Sequence, residues 1–163
     1  MSETGPDPRH RLVAVTLDEK SIGRASPDVE HERAVAIYDL VEDNQFAPKG
    51  IEAEGPFALH IGLLDRKLAL QIRRQTGEEI VTHLLSLTPF LKILKDYFLI
   101  CESYRTAIKT ASPSQIEAID MGRRGLHDEG AQVLGERLKG KIACDHDTAR
   151  RLFTLICALS WKG

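Results

Sequence analysis

The chain has 163 residues and a formal net charge of −2, with 42% hydrophobic and 28% charged side chains, a balance typical of a folded globular chain and not of a disordered or fibrous one. So small a net charge excludes a constitutive polybasic binder of nucleic acid or of a membrane surface. No apolar run approaches the roughly 20 residues that cross a bilayer, and the polar opening MSETGPDPRHR has no apolar signal-peptide core. The sequence therefore predicts a soluble cytoplasmic protein with no membrane partner, folded as a single domain over residues 1–163.

Residues 1–10, with Pro6 and Pro8, read as a loose N-terminal arm. Leu12-Val13-Ala14-Val15-Thr16-Leu17 is rich in strand formers and predicts a strand. Three helix starts then share one chemistry. Ser26-Pro27, Thr88-Pro89 and Ser112-Pro113 each place a hydroxyl at the N-cap and proline at the first helical position, where a missing N–H costs nothing. The first predicts a helix from Pro27 to about Glu42, with Val29, Ala36, Ile37, Leu40 and Val41 inward. Asp43-Asn44-Gln45, Pro48 and Gly50 end it and begin a loop.

Between Gly55 and Leu87 the hydrophobic period falls to two. Phe57, Leu59, Ile61 and Leu63 alternate with smaller or polar residues, and Leu68, Leu70 and Ile72 repeat the pattern. Asp65-Arg66 and Thr76-Gly77-Glu78 are the predicted turns, and residues 79–85 make a third meander strand. From Thr88 onward the chain is helical. Phe90, Leu94, Tyr97, Cys101, Tyr104 and Ile108 form one face, read as that of a central buried helix. Ser112, with Gln115 completing a capping box, starts a helix reaching about Leu138, and Gly140 stops it. The last helix begins near Asp145 or Asp147 and is apolar nearly all round, so it is predicted to lie sandwiched or at an interface. The order β-α-β-β-β-α-α-α implies an α+β fold: a small antiparallel meander sheet of three to four strands packed on a C-terminal three-helix layer plus one N-terminal helix.

The third long helix holds Gly122, Gly125, Gly130 and Gly135, each costing about 1 kcal/mol in a helix interior. They require close approach of a neighbour, a break near Gly122–Gly125, or backbone access for a ligand. The same helix carries the densest polar cluster. Asp120, Arg124 and His127 fall at i, i+4 and i+7, with Arg123 and Asp128 alongside. Arginine forks suit phosphate or carboxylate, and a histidine oriented by a carboxylate transfers protons near neutral pH. These residues, with Arg150 and Arg151 of the last helix, are the candidate anion-binding set; the competing reading is i,i+4 ion pairing on a solvated face. Arg150-Arg151 sits at the wrong end of its helix dipole, which points to a bridge to another element or an anion contact.

No zinc-ligand spacing, phosphate loop, dinucleotide fingerprint or nucleophile elbow occurs, so no metal and no cofactor is predicted and no residue is assigned as catalytic. Cys101, Cys144 and Cys157 are an odd set and read as reduced core thiols. Charge is uneven: residues 1–56 carry 12 acidic and 6 basic side chains, net −6, and residues 57–163 carry 12 and 16, net +4. That asymmetry reads as attraction between the two halves.

Tyr38-Asp39-Leu40, the run His83–Phe90, Lys95-Asp96-Tyr97-Phe98, Cys101-Glu102-Ser103-Tyr104, the run Ser112–His127 and the run Thr148–Ile156 together resemble uncharacterised protein family 0262 of the alphaproteobacteria. The resemblance spans roughly residues 10–163. It implies a small bacterial protein and carries no catalytic or binding residue with it. The leading expectation is a non-catalytic interaction or regulatory module whose partner is protein, self or other. The alternative is an anion- or phosphoester-binding enzyme using Arg123, Arg124 and His127, oriented by Asp128 or Asp120. Contact with nucleic acid through the basic helical half ranks last.

Overall fold

The computed structural model describes residues 7–161. Residues 1–6 of the expected arm lie outside that range. Its remainder is pinned: Pro8–His10 form a 3-10 turn capped by the Asp7 carboxylate, which accepts from the Arg9 N–H at 3.0 Å. The Arg9 carbonyl in turn accepts from the Gly55 N–H at 2.8 Å. A side chain at Gly55 would meet the Arg9 and Pro8 carbonyl oxygens at 2.9 Å, so glycine is what lets the two segments touch.

Strand β1 spans Leu12–Leu17, a one-turn helix α1 Glu19–Ile22, and α2 Pro27–Glu42. After the short strand β2, Phe46–Pro48, come β3 (Phe57–Leu64), β4 (Lys67–Arg74) and β5 (Glu79–Ser86). Helices α3 (Leu91–Thr110) and α4 (Pro113–Leu138), strand β6 (Ile142–Cys144) and helix α5 (His146–Ser160) complete the order. β3, β4 and β5 form the antiparallel meander, and Asp65 and Arg66 make its first turn with φ of 49° and 60°. β1 joins beside β3 in parallel, so the sheet is mixed in the order β1-β3-β4-β5 and not antiparallel throughout. The intervening α2 is what allows that parallel return, since a tight turn permits only antiparallel pairing. β2 and β6 pair separately, as a three-residue antiparallel clip.

Helix starts follow the expected chemistry at two of three sites. Ser26 Oγ accepts from the Val29 N–H, and Ser112 and Gln115 form the full capping box. At the third, Thr88 is not a cap. Thr88–Phe90 form a 3-10 turn, the Thr88 N–H donates to Ser86 Oγ, and the helix proper starts at Leu91. α3 is also not the central helix. Within Leu91–Thr110 the buried residues are Ile93 and Leu94, while Leu99 and Ile108 are each 55% exposed. The centre is α5, with α2 and α4 packed against it and Leu152, Phe153, Leu155 and Ile156 at 0–1% exposure. These residues join Phe57, Leu59, Ile61, Leu68, Leu70 and Ile72 of the sheet in one core cluster.

α4 is continuous through its glycines, and a break near Gly122–Gly125 does not occur. A Cβ on Gly130 would overlap the Phe153 ring of α5, and one on Gly122 would meet Ile100 Cδ1 at 2.7 Å; Gly125 and Gly135 face open space. Two of the four therefore serve close packing and two have no neighbour to accommodate.

Candidate functional site

The packing of α2, α3 and α4 around α5 leaves a long cleft over one side of α5. Its two lobes have volumes of about 630 and 600 Å³ and share Ala36, Asp39, His127 and Thr154. The floor is a stripe of α5, Arg150, Thr154 and Cys157, spaced 4 and 3 so that they face one way, continued by Trp161 just past the helix end. One wall is α2, contributing Glu32, Val35, Ala36, Asp39, Glu42 and Asp43. The opposite wall is Tyr97, Cys101, Tyr104 and Arg105 of α3 with Arg123 and His127 of α4.

Four of the predicted residues, Arg123, His127, Arg150 and Arg151, thus line one cleft. Asp120, Arg124 and Asp128 do not line it; the two carboxylates hold its cations from behind, and Arg124 shares Asp120. Asp120 accepts a salt bridge from Arg123 through Oδ1 and from Arg124 through Oδ2, both at 2.9 Å. Asp128 Oδ1 lies 3.4 Å from Arg150 Nε and 3.7 Å from His146 Nε2. Arg151 bridges to the end of α2, donating to the Asp43 carbonyl at 3.2 Å with the Asp43 carboxylate at 3.9 Å. Each of the four guanidiniums of the predicted set lies within 4 Å of a carboxylate.

His127 is half-buried, its ring 5.0 Å from that of Tyr97 and 6.5 Å from that of Phe153. Burial, reinforced by Arg150 and Arg123, holds its pKa down at about 4, so it is a neutral imidazole at pH 7. Its Nε2 is buried without a hydrogen-bond partner. Asp128 is paired with Arg150 and makes no hydrogen bond to this ring, so the acid–base arrangement drawn from spacing is absent. Burial likewise raises the Tyr97 hydroxyl and the Cys101 thiol above their ordinary ranges, and neither is activated as a nucleophile.

Sequence reasoning missed the acidic wall and the aromatic one. Arg105 stacks over the Trp161 ring at 4.3 Å, and Arg123 over Tyr104 at 5.1 Å. Glu32 and Asp39 have no ion pair among the described residues. The stripe of α5 was readable in the sequence; the convergence of α2 upon it, more than 100 residues away, was not.

A second groove shares no residue with the cleft. About 540 Å³ in volume, it lies between the β3–β4 turn, α3 and the end of α5. Leu63, Leu68, Leu87, Leu91, Leu94, Phe98, Leu99 and Leu159 line it, with Arg66, Lys95 and Glu102 as its charged members. Leu91 and Leu99 are 48% and 55% exposed. Neither Arg66 nor Lys95 has an ion-pair partner among the described residues. Among these residues no group of three or more His, Cys, Asp or Glu side chains converges as a metal site, and no helix is long and apolar enough to cross a membrane.

Residues 9–162 match the uncharacterised protein family UPF0262. A UPF0262 protein of Azorhizobium caulinodans is 67% identical over 164 aligned residues, the whole of both chains. One from Xanthobacter autotrophicus is 65% identical over 156 residues, 96% of this chain and 95% of its own. Another from Rhodopseudomonas palustris is 64% identical over 164 residues, again the whole of both. No solved structure matches significantly.

Proposed function

The chain belongs to the UPF0262 family, and we propose that it acts in the cytoplasm as a non-catalytic interaction module that seats an acidic, amphipathic helix of another protein in the apolar groove beside α3. The observation that carries this reading is the groove itself. Half-exposed Leu91 and Leu99 sit on α3 in a mainly apolar lining that includes Phe98, and contiguous exposed apolar surface on a small protein marks a contact site. A helix laying an apolar stripe into such a groove is a recurring mode of peptide recognition. The unpaired Arg66 and Lys95, against the single Glu102, favour acidic flanks on that helix. The lack of a carboxylate hydrogen-bonded to the His127 ring, and the carboxylates already paired with Arg123, Arg124, Arg150 and Arg151, support a non-catalytic role over a phosphoester enzyme.

The test is site-specific photocrosslinking in the native host, with a benzophenone amino acid at position 99 and, as control, at the still more exposed Met121 of α4. A heterologous chain crosslinked from 99 but not from 121, at an acidic apolar segment, and lost when Arg66→Glu and Lys95→Glu are combined, is the expected result. Equal labelling from both positions, crosslinks only to a second copy of this chain, or crosslinks indifferent to charge reversal would overturn it.

A further inference from the structure

The cleft over α5 shares no lining residue with the apolar groove, and its chemistry is different. Its two long walls carry opposite charge. On α2, Glu32 and Asp39 face it with no ion-pair partner among the described residues; on the other side Arg105 has an aromatic partner, Trp161, and no carboxylate. Val35 and Ala36 of the α2 wall and Cys157 and Ala158 of the floor give the same cleft a small apolar strip, broken by the Thr154 hydroxyl. In a packed protein, opposite charges on facing surfaces normally find one another. Here a cleft of about 600 Å³ keeps them apart, which is the volume range of small-molecule sites.

We propose that this cleft binds a zwitterionic small molecule of the amino-acid type, its ammonium held by Asp39 and Glu32 and its carboxylate by Arg105. The apolar strip takes an aliphatic or aromatic side chain. A guanidinium stacked on an indole keeps its N–H edge directed outward for a carboxylate. A simple anion satisfies one wall only and leaves the carboxylates of α2 facing another negative charge. A simple amine has the converse fault. A zwitterion satisfies both walls without changing the net charge of the site.

The chain's one tryptophan is Trp161, stacked with Arg105 at the cleft, so its fluorescence reports directly on binding. The experiment titrates the purified protein with the free α-amino acids, and with the N-acetyl and C-amide derivatives of each. The expected result is saturable change for one or more apolar amino acids, weakened about tenfold or more by either acetylation or amidation, the loss of one charge-assisted contact. Asp39→Asn should weaken the parent amino acid similarly and make acetylation matter little further. Arg105→Gln should do the same for amidation, a double-mutant cycle for each charge. Both residues are exposed and outside the core, so the variants are expected to keep wild-type circular dichroism; Glu32→Gln serves as a second acidic-wall variant. The proposal is overturned if no free amino acid binds at millimolar concentration. It is equally overturned if the blocked derivatives bind as well as their parents, or if the variants leave affinity unchanged.

Discussion

Arg33 is 3% exposed, and its guanidinium is directed at main-chain carbonyls: Nη1 donates to Gly23 O at 2.9 Å, Nε to Ala158 O at 3.1 Å and Nη2 to Trp161 O at 3.4 Å. One side chain of α2 thereby ties the end of α1 to the end of α5, and a cation near a helix C-terminus is favourable. Arg33→Met should lower stability by about 2–4 kcal/mol, because buried carbonyls are left without donors. Arg33→Lys should recover only part of that, since an ammonium cannot fork to both helix ends. Urea denaturation midpoints measure both, and a wild-type midpoint for the Met variant would exclude the tie. His127 acts on pH dependence. Its folded pKa of about 4 lies below the ordinary value near 6.5, so between those limits the unfolded chain takes up a proton that the folded chain does not. The stability that His127 contributes should therefore be lost as pH drops from about 6.5 toward 4. His127→Phe should flatten this part of the curve; a slope identical to wild type between pH 7 and 4.5 would show the imidazole to be uninvolved. The sequence revealed His127 as notable but not its state, because neutrality follows from burial beside Tyr97, Phe153 and two guanidiniums.

Among the elements, α4 and α5 are matched by one missing side chain. Gly130 lets the Phe153 ring lie against the backbone of α4, and Phe153 also stacks with Phe90 at 6.1 Å. Alanine ordinarily gains about 1 kcal/mol over glycine inside a helix. At Gly125 and Gly135, where a Cβ meets nothing within 4 Å, alanine should raise the melting temperature. Gly130→Ala should instead destabilise by about 1–3 kcal/mol, the usual penalty of overpacking a core. A stabilising Gly130→Ala would mean that the helices separate freely. The same contrast explains the reversal of roles between α3 and α5. Both are strongly apolar in sequence, but only α5 has helices on two sides, so α3 is left with the leucines that line the outer groove. Spacing identified the stripe of each helix; it could not say how many neighbours each stripe would meet.

Across the whole molecule, buried polar ties at the end of α2 reach both β1 and α5. Asn44, 2% exposed, accepts from the Leu12 N–H and donates to the Leu12 and Leu40 carbonyls, each at 2.8 Å. Thr148, fully buried, accepts from the Gln45 N–H at 2.9 Å. With one core cluster running from β1 through the sheet to α5, the chain should unfold as a single cooperative unit. Trp161 fluorescence and far-ultraviolet circular dichroism should then give superimposable urea curves, and two separated transitions would divide the chain. The attraction expected between the acidic first third and the basic remainder is realised locally at Arg151–Asp43. Farther along the cleft, Glu32 and Asp39 on one side and Arg105 on the other make no ion pair.

What the sequence by itself determined were the features with a local cause: the period-two strands, the Ser26 and Ser112 caps, the Asp65-Arg66 turn, the reach of α4, and the family. Strands β2 and β6 escaped notice because three residues carry no periodicity and gain stability only by pairing across nearly 100 positions. The candidate site was half legible. Arg123, His127, Arg150 and Arg151 stood out by residue type, while Glu32, Asp39, Tyr104, Arg105 and Trp161 look like ordinary surface and helix residues until the chain is folded. Only tertiary structure decided which guanidiniums were already paired, which histidine was neutral and which wall faced which, because each depends on the dielectric and the neighbours that packing supplies.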